Sequence, residues 1–151
     1  MESTDPAVRE LARVVQDGRL TARERAVAAF DRVRDGVSYE FMAKLRPEEY
    51  TASHVLGRGR GFCVQKAVLL VSLLRASGVP SALVLTDLRD HTMPRRIAHA
   101  MGTDVMHGHG LAAAWVDGGG AWQTPATTRA SLSGRATGWW SGAGKATRCS
   151  R

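Results

Sequence analysis

One cysteine near the middle of the chain has the setting of a nucleophile. Cys63 follows glycines at positions 57, 59 and 61, and it begins a strongly apolar segment that is typical of a helix. The unpaired N–H groups and the macrodipole at a helix start favour the thiolate, which is the reactive form of a cysteine. The glycines before it would let a substrate backbone come close. Cys63 is therefore a candidate for covalent catalysis.

A thiolate of this kind needs a base within hydrogen-bond reach, and the sequence offers five histidines. His109 opens a predicted strand that follows the apolar helix, so it can face the helix start across a sheet. We therefore predict that Cys63 and His109 form a catalytic pair. His54, His91 and His99 are expected to be solvated or capping residues.

Spacing alone leaves other roles open for the same residues. A cysteine at the start of an apolar helix is often only a small buried hydrophobe. The triplet His107-Gly108-His109 fits a surface loop or half of a metal site as well as a catalytic strand. Because residues 1–126 contain one cysteine and no second close pair of ligands, we expect no metal. We expect no other cofactor either.

The helices that position the pair follow from the spacing of apolar residues. One helix is predicted over residues 6–16, and a second begins at a capping box, Thr21-Ala22-Arg23-Glu24, and ends near Asp35. The helix over residues 63–76 is the strongest in the chain. It is apolar on most sides and should be central and buried, with Gln65 and Lys66 along its exposed edge.

Strands dominate the second half of the chain. They are predicted over residues 81–86, 109–117 and 121–124, with a glycine turn at 118–120 and room for a short helix after Pro94. Helices followed by strands predict an α+β fold in which the central helix packs on a mostly antiparallel sheet.

The composition and the charge distribution limit the domain organisation and the binding partners that we expect. The chain has 151 residues and a net charge of +7, yet the stretch 129–151 holds five basic residues and no acid, so the rest is close to balanced. We therefore predict one domain over residues 1–126, a low-complexity basic and disordered tail over 127–151, and no specific nucleic-acid or membrane partner. The N-terminus lacks an apolar leader, which predicts a cytoplasmic protein.

The segment around Cys63 resembles the nucleophile motif of bacterial transglutaminase-like proteins. In that family a glycine–aromatic–cysteine segment opens a helix that ends in an Arg-Ala-x-Gly-Ile/Val-Pro turn, and the matching segments here are Gly61-Phe62-Cys63 and Arg75-Ala76-Ser77-Gly78-Val79-Pro80. The segment from Met101 to Gly110 resembles the one that carries the catalytic histidine in one bacterial branch. Trp122 with Thr124-Pro125-Ala126 is similar to the strand after it. The resemblance runs from about residue 7 to 126.

The resemblance implies a transglutaminase-like or papain-like fold and a role for each residue. Cys63 would attack a carboxamide or peptide carbonyl to give a thioester, and His109 would take and return the proton. The backbone N–H of Cys63 would help to hold the oxyanion. Water or an amine would then release the acyl group of a peptide or protein substrate.

A third residue that orients the histidine is harder to assign. The family usually has an acid on the strand after the histidine, but Asp117 is the last acid in this chain and the chain has no asparagine. The possible orienting residues are Asp117, Gln123 and Thr124, with Asp104 as a further carboxylate to inspect. The family's usual continuation is also absent after residue 126, so we expect a C-terminally truncated or frameshifted domain. Two functions are favoured: a cysteine-dependent acyl-transfer enzyme, and an inactive binding module with the same fold. A third possibility is nucleic-acid binding through the basic tail.

Overall fold

A computed structural model describes residues 2–40, 46–89, 95–123 and 140–141, and it has the mixed α+β architecture that the sequence predicted. The helices are α1 (Pro6–Gln16), α2 (Ala22–Gly36), a 3-10 helix (Pro47–Tyr50), α3 (Ala52–Arg58), α4 (Cys63–Ala76) and α5 (Arg95–Met101). The strands are β1 (Ser38–Tyr39), β2 (Arg60–Gly61), β3 (Ser81–Arg89), β4 (Val105–Val116), β5 (Gly119–Gln123) and β6 (Trp140–Ser141).

The first two helices begin at side-chain caps. Asp5 accepts hydrogen bonds from the N–H groups of Ala7 and Val8 at 2.9 and 3.2 Å, which starts α1. The predicted capping box of α2 is confirmed: the Glu24 N–H donates to Thr21 Oγ1 at 3.1 Å, and the Thr21 N–H donates to Glu24 Oε2 at 3.0 Å. These local signals fix the helix starts without help from distant residues.

The main sheet is antiparallel, as predicted, and its strands lie in the order β3-β4-β5-β6. Strands β3 and β4 are longer than the sequence predicted. A separate parallel pair, β1 and β2, joins Tyr39 to Gly61 directly before α4. Strand β6, which pairs Trp140 with Trp122, was not predicted, because its low-complexity surroundings show no strand period. The other residues of the predicted tail lie outside the described ranges.

Helix α4 is the centre of the molecule. It packs against β4 and β3 on one side and against α1, α2 and α3 on the other. Its leucines and valines join one apolar core with residues from each of these elements. The core includes Val8, Val15, Ala26, Ala29, Val33, Val55, Leu69, Leu70, Val71, Leu73, Leu74, Ala112, Ala114 and Val116. A helix enclosed in this way holds its first residue, Cys63, in a fixed position relative to the sheet.

The prediction that Gln65 and Lys66 line an exposed edge of α4 is wrong, because their exposed fractions are 1% and 0%. The Lys66 ammonium donates hydrogen bonds to the carbonyl oxygens of Arg34 and Val37 at 3.1 and 2.5 Å. Both carbonyls belong to the C-terminal end of α2, where the helix dipole favours a cation. Lys66 therefore caps α2 from inside the protein and ties that helix to α4.

Burial has an electrostatic cost at this position. Desolvation lowers the pKa of Lys66 to about 8, against a smaller opposing effect of Asp35, while Arg34 lowers it further. Near Lys66, Arg34 forms ion pairs with Asp31 at 2.8 Å and with Asp35 at 2.7 Å.

None of the helices in the described ranges is long and apolar enough to cross a membrane.

Candidate active site

Cys63 is the first residue of α4, and its exposed fraction is 8%. The N–H groups of a first helical turn have no acceptor within the helix, so they are available to a ligand or to a charged group. Cys63 therefore lies in the helix turn whose main-chain donors the helix leaves without acceptors, in a largely enclosed position. The predicted position of Cys63 at the start of a helix is confirmed.

Gln65 fixes the start of the same helix. Its Oε1 accepts a hydrogen bond from the Phe62 N–H at 3.2 Å, and its Nε2 donates to the carbonyl oxygen of Glu49 at 2.7 Å. The first bond is half of a capping box, formed here by a glutamine three residues after the N-cap. The second bond ties α4 to the 3-10 helix. Sequence reasoning missed this role, although the spacing of Phe62 and Gln65 was a usable signal.

The approach to Cys63 is held by aromatic and ionic contacts. The rings of Tyr50 and Phe62 meet edge to face, with centroids 5.7 Å apart. Arg58 lies 3.4 Å from a carboxylate oxygen of Glu40 and 3.7 Å from one of Glu49. These contacts join the parallel strand pair to the 3-10 helix, so the segment before the cysteine is packed and not a loose glycine loop.

Gly110 brings β4 against the start of α4. A Cβ atom at Gly110 would lie 2.6 Å from the Val64 Cα, 2.9 Å from the Val64 nitrogen and 3.1 Å from the Cys63 carbonyl carbon. His109 precedes Gly110, and consecutive Cα atoms are 3.8 Å apart, so the His109 Cα lies within roughly 9 Å of that carbonyl carbon. The exposed fraction of His109 is 3%.

A β-bulge lies directly before His109. Thr86 pairs with His109 and Leu88 pairs with Met106, so the two residues His107 and Gly108 stand opposite Asp87 alone. Gly108 has a φ of +66°, a conformation that favours glycine. The Asp87 carboxylate accepts a hydrogen bond from the Gly108 N–H at 3.1 Å and lies 2.9 Å from His107 Nδ1. The bond with His107, followed by that with Gly108, lowers the pKa of Asp87.

Of the predicted orienting residues, Asp117 and Asp104 form ion pairs with arginines. Asp117 lies in the turn after β4, eight residues from His109, which is about 26 Å along a strand, and it forms an ion pair with Arg23. Gln123 pairs with Ala112 in the sheet, and Thr124 lies outside the described residues. Asp104 lies 3.5 Å from Arg89. Asp117 therefore lies at the far end of β4 from His109, and the pairing of Cys63 with His109 stays a prediction.

The remaining histidines differ in their surroundings. His54 and His99 are exposed, and His91 lies outside the described residues. Within the described ranges no group of three His, Cys, Asp or Glu side chains is close enough to hold a metal ion. His107 is exposed and bound to Asp87.

A buried helix that begins at a cysteine and packs on an antiparallel sheet next to a histidine is a cysteine-protease-like fold. The family model of the transglutaminase-like superfamily matches residues 9–124. The chain therefore belongs to the transglutaminase-like superfamily, as its motifs predicted. Among functionally curated proteins, none is significantly similar to it.

A solved structure has a related fold. The chain is similar to the crystal structure of a candidate protease from Parabacteroides distasonis, with a TM-score of 0.54 and 18% sequence identity. The match covers 84% of this chain and 27% of the other, so this chain spans about a quarter of that protein's length. At this level of identity the similarity establishes the fold alone.

Proposed function

We propose that this protein is a cysteine-dependent acyl-transfer enzyme that acts on the amide bonds of peptides or proteins. Cys63 is the nucleophile and His109 is its base in this proposal. The observation that carries it is the approach of Gly110 to the backbone of Cys63 and Val64, because it holds the residue beside His109 against the start of α4. Family membership supports the same assignment.

The chemistry has two stages. In the first, the Cys63 sulfur bonds to the carbonyl carbon of the substrate, the C–N bond breaks, and the thiol proton passes through His109 to the leaving amine. In the second, water or an amine attacks the thioester, His109 takes a proton from that nucleophile, and the sulfur leaves as thiolate. The choice between water and an amine decides between hydrolysis and transfer.

The oxyanion formed at each stage needs donors that are fixed before the reaction. The Cys63 N–H is available for this purpose, because the first turn of α4 has no helical acceptor for it. The amide of Gln65 is already bonded to Glu49 and Phe62, so its role is to hold the helix start. We assign the oxyanion site to main-chain donors.

A binding module without turnover is the alternative. The position of Asp117 favours it, because the last acid in the chain is bonded to Arg23 and is distant from His109. In a catalytic triad an acid holds the imidazole in the productive tautomer and orientation, and Asp117 is bonded elsewhere. The two functions predict the same fold and differ in what the sulfur does.

Thiol reactivity and turnover distinguish the two functions. A Cys149→Ser background leaves Cys63 as the single thiol, and Cys63→Ala in that background is the blank. Below pH 7 we expect iodoacetamide to alkylate Cys63 faster than a free thiol. His109→Ala should reduce the alkylation rate of Cys63 to that of a free thiol. Release of amine from a peptide-amide library then reports turnover. Fast alkylation without turnover supports the binding module, and alkylation no faster than a free thiol contradicts the enzyme.

A further inference from the structure

We propose that Asp87 is a positioning residue for His109, which it serves by clamping the β-bulge that precedes the histidine. The inference rests on the proposed function, because it concerns how the base is held beside Cys63. Whatever the function of the site, Asp87 keeps the extra residue of β4 on the N-terminal side of His109.

The clamp uses both oxygens of one carboxylate. Asp87 Oδ1 accepts from the Gly108 N–H, and Asp87 Oδ2 is bonded to the His107 ring. These are the two bulged residues of β4, and Asp87 is the single residue of β3 opposite them. The carboxylate thus supplies the bulge with an acceptor that the strand ladder does not provide.

The position of the bulge matters because β4 fits α4 in one register. A bulge inserts one residue, and moving it past Gly110 would shift the residues that it passes by one place against β3 and α4. A residue with a side chain would then occupy the position of Gly110, where a Cβ would lie 2.6 Å from the Val64 Cα. The strand would have to move away from the helix start and take His109 with it. A clamp on Gly108 prevents this shift.

The effect should appear in the site and not in overall stability. The side chains of Asp87 and His107 are exposed, and exposed ion pairs contribute little to folding. The other charged pair described at this end of the sheet, Arg89 with Asp104, makes no contact with the bulge. Asp104 is therefore a matched carboxylate for a control.

The test compares three variants in the Cys149→Ser background. Asp87→Ala removes both bonds, Asp87→Asn keeps an acceptor for the Gly108 N–H, and Asp104→Asn changes a nearby carboxylate outside the bulge. We expect Asp87→Ala to slow alkylation of Cys63 at pH 6 by tenfold or more and to move its pH profile upward, because a small misplacement of a catalytic group has a large effect on rate. Asp87→Asn should lose about threefold or less, and Asp104→Asn should match the parent.

Hydrogen exchange separates failure of the clamp from failure of the proposed function. If the parent protein alkylates no faster than a free thiol, the proposed function is wrong, and the protection of the Gly108 amide still tests the clamp. Loss of that protection in Asp87→Ala, with an unchanged melting temperature, supports the clamp. Parent-like protection and alkylation in Asp87→Ala overturn it. If Asp87→Ala does not fold, the clamp predicts that Asp87→Ser, which retains one acceptor, keeps part of the protection, and full loss there overturns the inference.

Discussion

Gly110 packs against Val64 so closely that main chain meets main chain, with a distance of 2.6 Å between the Val64 Cα and the position that a Cβ of Gly110 would take. The separation of β4 from the start of α4 is thereby fixed by the backbones of the two elements. Side-chain packing elsewhere in the sheet can change without altering it. In the proposed site, the distance between His109 and Cys63 depends on this contact.

Gly110→Ala should therefore disrupt both the fold and the site. Neither backbone can yield without moving an element, and overpacking of this kind typically costs about 1–3 kcal/mol. We expect the free energy of unfolding in urea to fall by about that amount and the alkylation of Cys63 at pH 6 to slow. Gly57→Ala is the control, since Gly57 lies in α3 with open space around it and alanine there should stabilise by roughly 0.5–1 kcal/mol. A neutral Gly110→Ala would contradict the direct backbone contact.

Because of the lowered pKa of the buried Lys66, we expect the free energy of unfolding to rise with pH above about pH 8. Its pKa is about 8 in the folded protein, against 10.5 for an unperturbed lysine. Between these values the unfolded chain binds more protons than the folded one, so the contribution of Lys66 to the free energy of unfolding increases with pH. Below pH 8 both states are protonated and the contribution is flat. The slope should be at most about 1.4 kcal/mol per pH unit.

Urea unfolding at pH 8, 9 and 10 measures this slope. Lys66→Met removes the titrating group, so the difference between the parent and this variant should change across the range. Lys66→Arg serves as a second reference, because a guanidinium stays charged throughout and offers donors to the same carbonyls. Parallel pH dependences for all three proteins would show that Lys66 does not titrate in this range.

Gln65→Glu should loosen the start of α4. The carboxylate keeps an acceptor for the Phe62 N–H but turns a second acceptor toward the carbonyl oxygen of Glu49. Leaving a buried group of this kind unsatisfied costs about 1–3 kcal/mol, more when it is charged. We expect that loss in urea unfolding at pH 7 and a smaller loss at pH 4, where the protonated acid can donate. Gln16→Glu is the matched control at an exposed site and should change stability by less than about 0.5 kcal/mol.

Asp117→Asn should leave the candidate site unaffected. The carboxylate is half exposed and bonded to Arg23 in the turn after β4, so its loss should cost no more than about 1 kcal/mol. Alkylation of Cys63 should stay within twofold of the parent at every pH. A tenfold decrease would restore Asp117 as the group that orients His109.

The parts of the fold that the sequence predicted are those with local signals. Helix α2 follows from Thr21 and Glu24, three residues apart, and the end of α4 follows from Gly78 and Pro80. The burial of Lys66 had no such signal, because its carbonyl partners at Arg34 and Val37 lie about 30 residues earlier and meet it only after α2 packs on α4.

The same difference between local signals and contacts of distant residues applies to the candidate site. Cys63 at a helix start could be predicted because the glycine approach and the apolar run are contiguous. The bulge could not, since Asp87 and Gly108 are 21 residues apart and only Gly108 itself hinted at an irregular strand. The distance between Asp117 and His109, by contrast, follows from the sequence alone. A strand that begins at His109 and ends near Asp117 already separates the two by its own length.

The extra residue of β4 also divides that strand into two stretches that differ in how well they tolerate insertions and deletions. C-terminal to Gly108, the ladder from His109 to Ala114 is fixed by its fit to α4, so an inserted or deleted residue there would displace the base. N-terminal to Gly108, the β-bulge separates the segment from α5 to Met106 from the ladder that begins at His109. In the sheet, Val105 and Met106 pair with Arg89 and Leu88 at the outer end of β3. Changes of length between residues 95 and 106 can be absorbed before they reach the histidine, so this segment can diversify without displacing the base.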